Sequence, residues 1–234
     1  DDWAVLNADD PRVASFGVSC RGHVLYYGCG DSADLRAVEL QPGESGGYFF
    51  RLAPLTPPVI RPGGATWKGQ RAAAPRTNLP SYVRFHLPLL GRHNVCNVLA
   101  ALGVACLFGI EPPALAEAVS QLRPASQRGE VVRLANGVLV VDDCYNSSPA
   151  ALEAMLGAVA EIPARRRYAV LGGMMELGPR SEQLHHRCGR RVAELRFAGL
   201  ITVGNEARPL SAGALAAGLP DAAIEQCATP EEAG

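Results

Sequence analysis

Hydrophobic and polar positions change character several times along the chain, and the changes predict its elements. Up to about residue 87 the pattern is one of short strands and loops, with strand composition in Val24-Leu25-Tyr26-Tyr27 and in Gly47-Tyr48-Phe49-Phe50-Arg51-Leu52. Between Pro54 and Pro80 the chain is rich in Pro, Gly and Arg, which predicts an irregular stretch. From His93 to Phe108 small and apolar residues fall on nearly every face, predicting a buried helix that stops near Gly109. A second helix is expected from Pro112-Pro113 through Leu122, ended by Arg123-Pro124.

Two β-branched runs, Val131–Ala135 and Val138–Val141, flank Asn136-Gly137, a hairpin signal because both turn residues tolerate positive φ. Ser147-Ser148-Pro149 then caps a helix expected to run to about Val159. Tyr168–Leu171 and Leu200–Gly204 read as buried strands, separated by a charged helix that Ser181 would cap and that would end near Gly199. Alternating strands and helices predict an α/β fold with a parallel sheet, in which ligands bind where strand ends meet helix starts. The run Val141-Asp142-Asp143 is expected to end one such parallel strand, with Asp143 at its carboxyl end.

Composition narrows the class. With 234 residues, 48% hydrophobic and 19% charged, the chain is ordinary globular protein, long enough for one large domain or two small ones. A net charge of -1 gives no electrostatic case for nucleic acid or an acidic membrane surface. The longest apolar stretch, Val95–Ile110, is too short to cross a bilayer and contains Asn97, so no membrane insertion is expected. There is no signal-peptide pattern at the start, and the first residue is Asp1 rather than Met, which suggests further residues upstream. Seven cysteines lie scattered without a Cys-x-x-Cys pair, predicting reduced thiols in a cytoplasmic protein and no metal site. Lys68 is the only lysine.

Four segments can carry chemistry. In Gly91-Arg92-His93-Asn94-Val95-Cys96-Asn97 two asparagines three apart share one helix face; an amide there can pair with the donor and acceptor on adenine's edge, or serve as a cap plus a satisfied core asparagine. Arg128, in Gln127-Arg128-Gly129-Glu130, can grip ribose or phosphate or be an ordinary surface arginine. Asp142-Asp143, with Cys144-Tyr145-Asn146 leading into the capped helix, suits a ribose-hydroxyl site or a simple loop cap. In Gly172-Gly173-Met174-Met175-Glu176-Leu177-Gly178 glycines allow close backbone approach. Of the adjacent His185 and His186, one is expected to be structural and the other exposed, since neighbours on a helix point in different directions.

Together with Leu6-Asn7-Ala8-Asp9-Asp10-Pro11, these segments resemble the Mur ligase family across nearly the whole chain, in the branch that adds D-alanyl-D-alanine to UDP-N-acetylmuramoyl-tripeptide during peptidoglycan synthesis. Asp-Asp-x-Tyr-Asn-x-x-Pro and Met-Glu-Leu-Gly are the branch-specific pieces; His-Asn-x-x-Asn is shared across the superfamily. The resemblance implies ATP and Mg2+ as cofactors, an acyl phosphate intermediate, and a monomeric, cytoplasmic enzyme. It implies that Asn97 reads adenine, that His93 and Asn94 shape that pocket, that Arg128 and Asp143 hold the ribose region, and that Tyr145 and Asn146 line the nucleotide site. Glu176 and His185 would be catalytic residues on the dipeptide-facing side.

The implied architecture is the rear of a central ATP-binding domain, residues 1–124, followed by a Rossmann-like C-terminal domain, residues 125–234, incomplete at its end. The phosphate-binding loop and most metal ligands would lie upstream, so the chain alone is expected to be inactive. Gly173 stands where the family usually has aspartate, and Ser148 where it commonly has asparagine. Rival readings are a folylpolyglutamate or cyanophycin type of ligase, and a non-catalytic nucleotide-binding or structural remnant.

Overall fold

The computed structural model describes residues 2–43, 46–53 and 83–234. The irregular stretch expected between Pro54 and Pro80, and Lys68 within it, lie outside the described residues. The chain divides at Arg123/Pro124 into two compact units.

The first unit is built on a five-stranded sheet of β1 (Trp3–Asn7), β2 (His23–Gly28), β3 (Leu35–Pro42), β4 (Tyr48–Leu52) and β5 (Val83–Leu87), in that spatial order. The first three strands run parallel and the last two pairings are antiparallel. Alternation on the later strands sets the core: Tyr48, Phe50 and Leu52 of β4 and Val83, Phe85 and Leu87 of β5 point inward, with their neighbours outward. Helix α1 (Pro11–Ser19) joins β1 to β2. The Asp10 carboxylate accepts from the Arg12 and Val13 amides, at 2.8 and 3.3 Å, and Pro11 occupies the first turn. The strands-and-loops expectation for this region misses α1, because its apolar Phe16 and Val18 are exposed and form no buried stripe.

Helix α2 (Arg92–Leu107) packs Val95, Val98, Leu99 and Leu102 on the sheet's buried residues. The expectation of burial on nearly every face is corrected. Asn97, Ala101 and Val104 form an exposed face, since the sheet covers only one side among the described residues. The helix expected from Pro112 to Leu122 is two shorter pieces: a 3-10 turn, Pro112–Leu115, and α3 (Ala116–Ser120). The two prolines withhold N–H groups from the first turn, which closes through an Ala114-to-Glu111 bond at 3.0 Å.

The second unit begins with an antiparallel hairpin of β6 (Glu130–Arg133) and β7 (Leu139–Asp142). Its turn departs from the expected pair of positive φ values. Only Gly137 has one, at +83°; Gly137 donates to Leu134, and Leu134 donates to Val138. That is a three-residue loop with glycine at the left-handed position. A correction follows for Asp143: β7 pairs antiparallel with β6 and is outside the parallel sheet, so Asp143 does not close a parallel strand. The hairpin signal, which supplies a partner locally, prevails over the strand–helix alternation.

Ser148 caps α4 (Pro149–Glu161) as expected, accepting from the Ala151 amide at 3.4 Å. The parallel sheet consists of β8 (Tyr168–Gly172), β9 (Gly199–Val203) and β10 (Ile224–Cys227), with β9 in the middle. Between them run α5 (Ser181–Glu194) and α6 (Arg208–Ala216), and α7 (Pro230–Ala233) ends the described chain. Ser181 is the first helical residue of α5 rather than its cap, because a 3-10 turn, Gly178–Arg180, leads directly into the helix. The helix stops at Glu194 instead of near Gly199, with Arg196 in the left-handed region and Gly199 already in the strand.

Leu156, Ala169, Val192, Phe197, Leu200 and Ala214 form the core of this unit. Its two inner helices touch at the backbone. A Cβ on Gly189 would collide with the Leu210 carbonyl, and one on Gly213 with the His186 carbonyl. Glycine is required at both positions by this close approach. No helix among the described residues is long and apolar enough to cross a membrane.

Candidate functional site

In the first unit the chemistry gathers at the start of α2. Gly91, at φ +95°, turns the chain into the helix, and no side chain caps it. The amide nitrogen of Asn94 donates to the Leu90 carbonyl at 2.8 Å and lies 3.3 Å from the His93 Nε2. The Asn97 amide donates to the Asn94 Oδ1 at 3.0 Å. The two asparagines are therefore unequal. Asn94 is half-buried and works as an internal brace, whereas Asn97 is exposed and held in one orientation by it. An amide fixed this way keeps its carbonyl oxygen and second N–H for an adenine edge. His93 is exposed beside them.

The same helix start carries a cluster that the sequence did not single out. Asp9 Oδ2 accepts the Cys29 amide at 2.7 Å, and Oδ1 accepts the Gly30 amide at 2.9 Å. Cys29 and Cys96 lie beside that carboxylate. A hydrogen bond from Cys96, aided by Arg92, lowers the Cys29 thiol to about 7 against burial and the Asp9 charge. Cys96 is raised by the same bond and by burial. Sequence spacing could not reveal this pair, since 67 residues separate the two cysteines.

In the second unit Arg128, Tyr145 and Asn146 share one loop system. Gln127 sits at φ +59° and Gly129 at φ +70°, with Gly129 against Met155. The Tyr145 amide donates to the Gln127 carbonyl at 3.2 Å, tying the loop after β7 to the turn before β6. The Arg128 guanidinium stacks over the Tyr145 ring, 4.3 Å from its centroid. Asp142 accepts the Cys144 amide at 3.3 Å and Asn146 accepts the Ser147 amide at 2.9 Å, while Asp143 is half-buried between them in sequence. The loop thus exposes a planar cation on an aromatic face, suited to a sugar or phosphate edge.

His185 is fully buried. Its Nε2 accepts the Met174 amide at 2.7 Å, and its Nδ1 donates to the Ser181 carbonyl at 2.8 Å. Both ring nitrogens are engaged: Nδ1 bonds within α5, and Nε2 holds the 173–178 loop to that helix. His186 is half-buried, on another face. Glu176 is exposed and takes φ +62°, an uncommon conformation for a residue with a side chain. A Cβ at Gly173 would lie 2.6 Å from the Glu206 Cβ, so a side chain there would force its neighbour to shift. A cavity of about 970 Å³ lies between α4 and α5, lined by Arg180, Arg187, Arg190, Glu153 and Glu194 among others; none of the site residues expected from sequence lines it.

Known proteins resemble this chain in sequence and in fold. Residues 127–234 match the family described as "Mur ligase, glutamate ligase domain". The UDP-N-acetylmuramoyl-tripeptide--D-alanyl-D-alanine ligase of Mycobacterium leprae is 31% identical over 224 residues, covering 86% of this chain and 39% of that relative. The structure of MurF from Acinetobacter baumannii superposes with a TM-score of 0.77 at 24% identity, over 99% of this chain and 43% of that one. MurF from Thermotoga maritima, solved in complex with ADP, gives a TM-score of 0.73 at 22% identity, over the whole of this chain and 46% of its own. The chain spans less than half the length of each. On the matched domain, the relative and the shared α/β fold, the chain belongs to the Mur ligase family.

Proposed function

We propose that this chain carries adenosine-recognition residues of an ATP-dependent ligase that joins D-alanyl-D-alanine to UDP-N-acetylmuramoyl-tripeptide in cytoplasmic peptidoglycan synthesis. Support for the substrate comes from the name of the Mycobacterium leprae relative, and support for the nucleotide from the ADP in the Thermotoga maritima structure. The observation that carries the reading is the braced, exposed Asn97 amide at the head of α2. Asn97 takes the adenine edge, with His93 and Asn94 shaping its surroundings. Arg128, on Tyr145, and Asp143 address the ribose region, and Asn146 orders the loop that presents them. ATP, with Mg2+, supplies the phosphoryl group that activates the substrate carboxylate.

The dipeptide side is assigned differently for its two residues. His185 is a positioning residue, since a buried imidazole with both nitrogens engaged reaches no substrate. Glu176 is the exposed group of the loop that His185 holds, and in this reading it is the residue that meets the dipeptide.

The test is calorimetric titration of the 234-residue chain with ADP, with GDP as the base control. ADP should bind and GDP should bind far more weakly, and Asn97→Ala should abolish the difference. Equal binding of both nucleotides by the unaltered chain would defeat the adenine assignment.

A further inference from the structure

Asp9, Cys29 and Cys96 come from three different elements and converge by topology. Strands β1 and β2 are parallel neighbours in which Asn7 pairs with Tyr27. Asp9 and Cys29 each stand two residues beyond that pair, so they leave the same end of the sheet. Cys96 reaches them from the first turns of α2. One carboxylate oxygen and the two sulfurs all lie within 4.8 Å of one another. We propose that these three side chains form a binding site for a soft divalent cation of the zinc class, separate from any magnesium that accompanies ATP.

Four features support the site. The first is size: a tetrahedral ion with sulfur at about 2.3 Å and oxygen at about 2.1 Å needs its donors roughly 3.5–3.8 Å apart, which small side-chain rotations supply. The second is orientation. Both Asp9 oxygens are fixed by the Cys29 and Gly30 amides, and each retains a lone pair for a metal. Gly28 keeps this seat open, since a Cβ there would lie 2.7 Å from the Asp9 Oδ1. The third is charge. Two thiolates and a carboxylate carry three negative charges, and Arg92, hydrogen-bonded to Cys29, returns one. A dication therefore leaves the cluster neutral, and its binding releases whatever protons the two thiols still hold. The fourth is donor chemistry: two sulfurs favour zinc, cadmium or cobalt and disfavour magnesium, which demands oxygen. Three protein donors leave the fourth position to water.

The test is anaerobic titration of the reduced, metal-free 234-residue chain with Co2+, which reports tetrahedral thiolate ligation by its absorption. One equivalent should bind with a sulfur-to-cobalt charge-transfer band, and added Zn2+ should displace it. Cys29→Ser should about halve that band, since one of two thiolates is lost, and Cys20→Ser should leave it unchanged. Because Cys96→Ser can fail to fold, the unaltered chain is also alkylated with iodoacetamide and mapped by mass spectrometry. Zn2+ should shield Cys29 and Cys96 and leave Cys144 labelling unaltered. A cobalt spectrum without thiolate bands, an unchanged spectrum in Cys29→Ser, no shielding by Zn2+, or closure of the pair to a disulfide in place of metal uptake would each overturn the proposal.

Discussion

Asn97 is oriented by Asn94: its amide donates to the Asn94 Oδ1 at 3.0 Å, and Asn94 in turn donates to the Leu90 carbonyl at 2.8 Å. The order of this relay distinguishes the two residues experimentally. Truncating the exposed end removes a ligand contact; truncating the middle removes the support.

Asn97→Ala is therefore expected to cost roughly 1–3 kcal/mol of ADP binding, or about 5- to 150-fold in Kd, with little change in melting temperature. Asn94→Ala should lower both, because the carbonyl of the buried Leu90 loses its donor. The double variant should bind ADP no worse than Asn97→Ala. Calorimetry and thermal denaturation together check this; additive losses in Kd would show that the two asparagines act independently.

Arg128 and Tyr145 form the corresponding pair in the second unit, with the guanidinium 4.3 Å from the ring centroid. An exposed contact of this kind contributes about 0.5–1 kcal/mol. Arg128→Lys keeps the charge and loses the planar stack, so it should weaken ADP binding, while Tyr145→Phe, which retains the ring, should not. Asp143→Ala should likewise weaken ADP more than it weakens adenine alone. Equal effects of Arg128→Lys and Tyr145→Phe would argue against stacking as the source of orientation.

For His185 the expected loss is in stability. His185→Leu leaves the buried Met174 amide without an acceptor, costing about 1–3 kcal/mol. The 173–178 loop should loosen with it, seen as faster hydrogen exchange at Met174 and Met175. Glu176→Gln, at an exposed position, should leave the melting temperature unchanged within about 0.5 kcal/mol. A stable His185→Leu with unaltered exchange would remove the positioning role.

The α5–α6 contact gives a prediction independent of any ligand. Gly189→Ala and Gly213→Ala each drive a methyl into a facing backbone carbonyl, which cannot rotate away. Overpacking of this kind typically costs about 1–3 kcal/mol, and more where backbone must move. Chemical denaturation should show both variants well below the parent, whereas Gly157→Ala, with open space around it, should be neutral or stabilising.

Local signals in the sequence carry much of this fold. Ser148-Pro149 announces α4, Asn136-Gly137 announces the hairpin, and the apolar run from His93 announces α2, because caps, turns and periodicity act within a few residues. What depends on partners is less legible. Pairing of β7 with β6 rather than with the parallel sheet is a tertiary choice, and the Asp143 expectation fails on it. The exposed apolar residues of α1 write no stripe. The inequality of Asn94 and Asn97 depends on the Leu90 carbonyl, and the meeting of Cys29 with Asp9 on the parallel register of β1 and β2. The adjacency of His185 and His186 does announce one structural histidine, since neighbours on a helix cannot both face the core.

The 234-residue chain is expected to bind ADP weakly and to release no phosphate above background when given ATP, magnesium, the tripeptide precursor and D-alanyl-D-alanine. Phosphoryl transfer depends mostly on positioned charge, and a phosphate-binding loop of the form Gly-x-x-x-x-Gly-Lys-Ser/Thr needs a lysine at the terminal phosphates. Lys68 is the chain's only lysine; it follows Trp67 and precedes Gly69, so it lacks both the preceding glycine and the following hydroxyl residue. Arginine does not replace it, because a planar fork places its charge differently from an ammonium group. Arg128, whose guanidinium already lies on Tyr145, illustrates the point. The measurement is phosphate release beside a full-length relative under the same conditions. The relative should turn over and the chain should not. Substrate-dependent turnover by these residues alone would mean that the transferred phosphate is stabilised within them, and would overturn the assignment of this chain to nucleotide recognition without phosphoryl transfer.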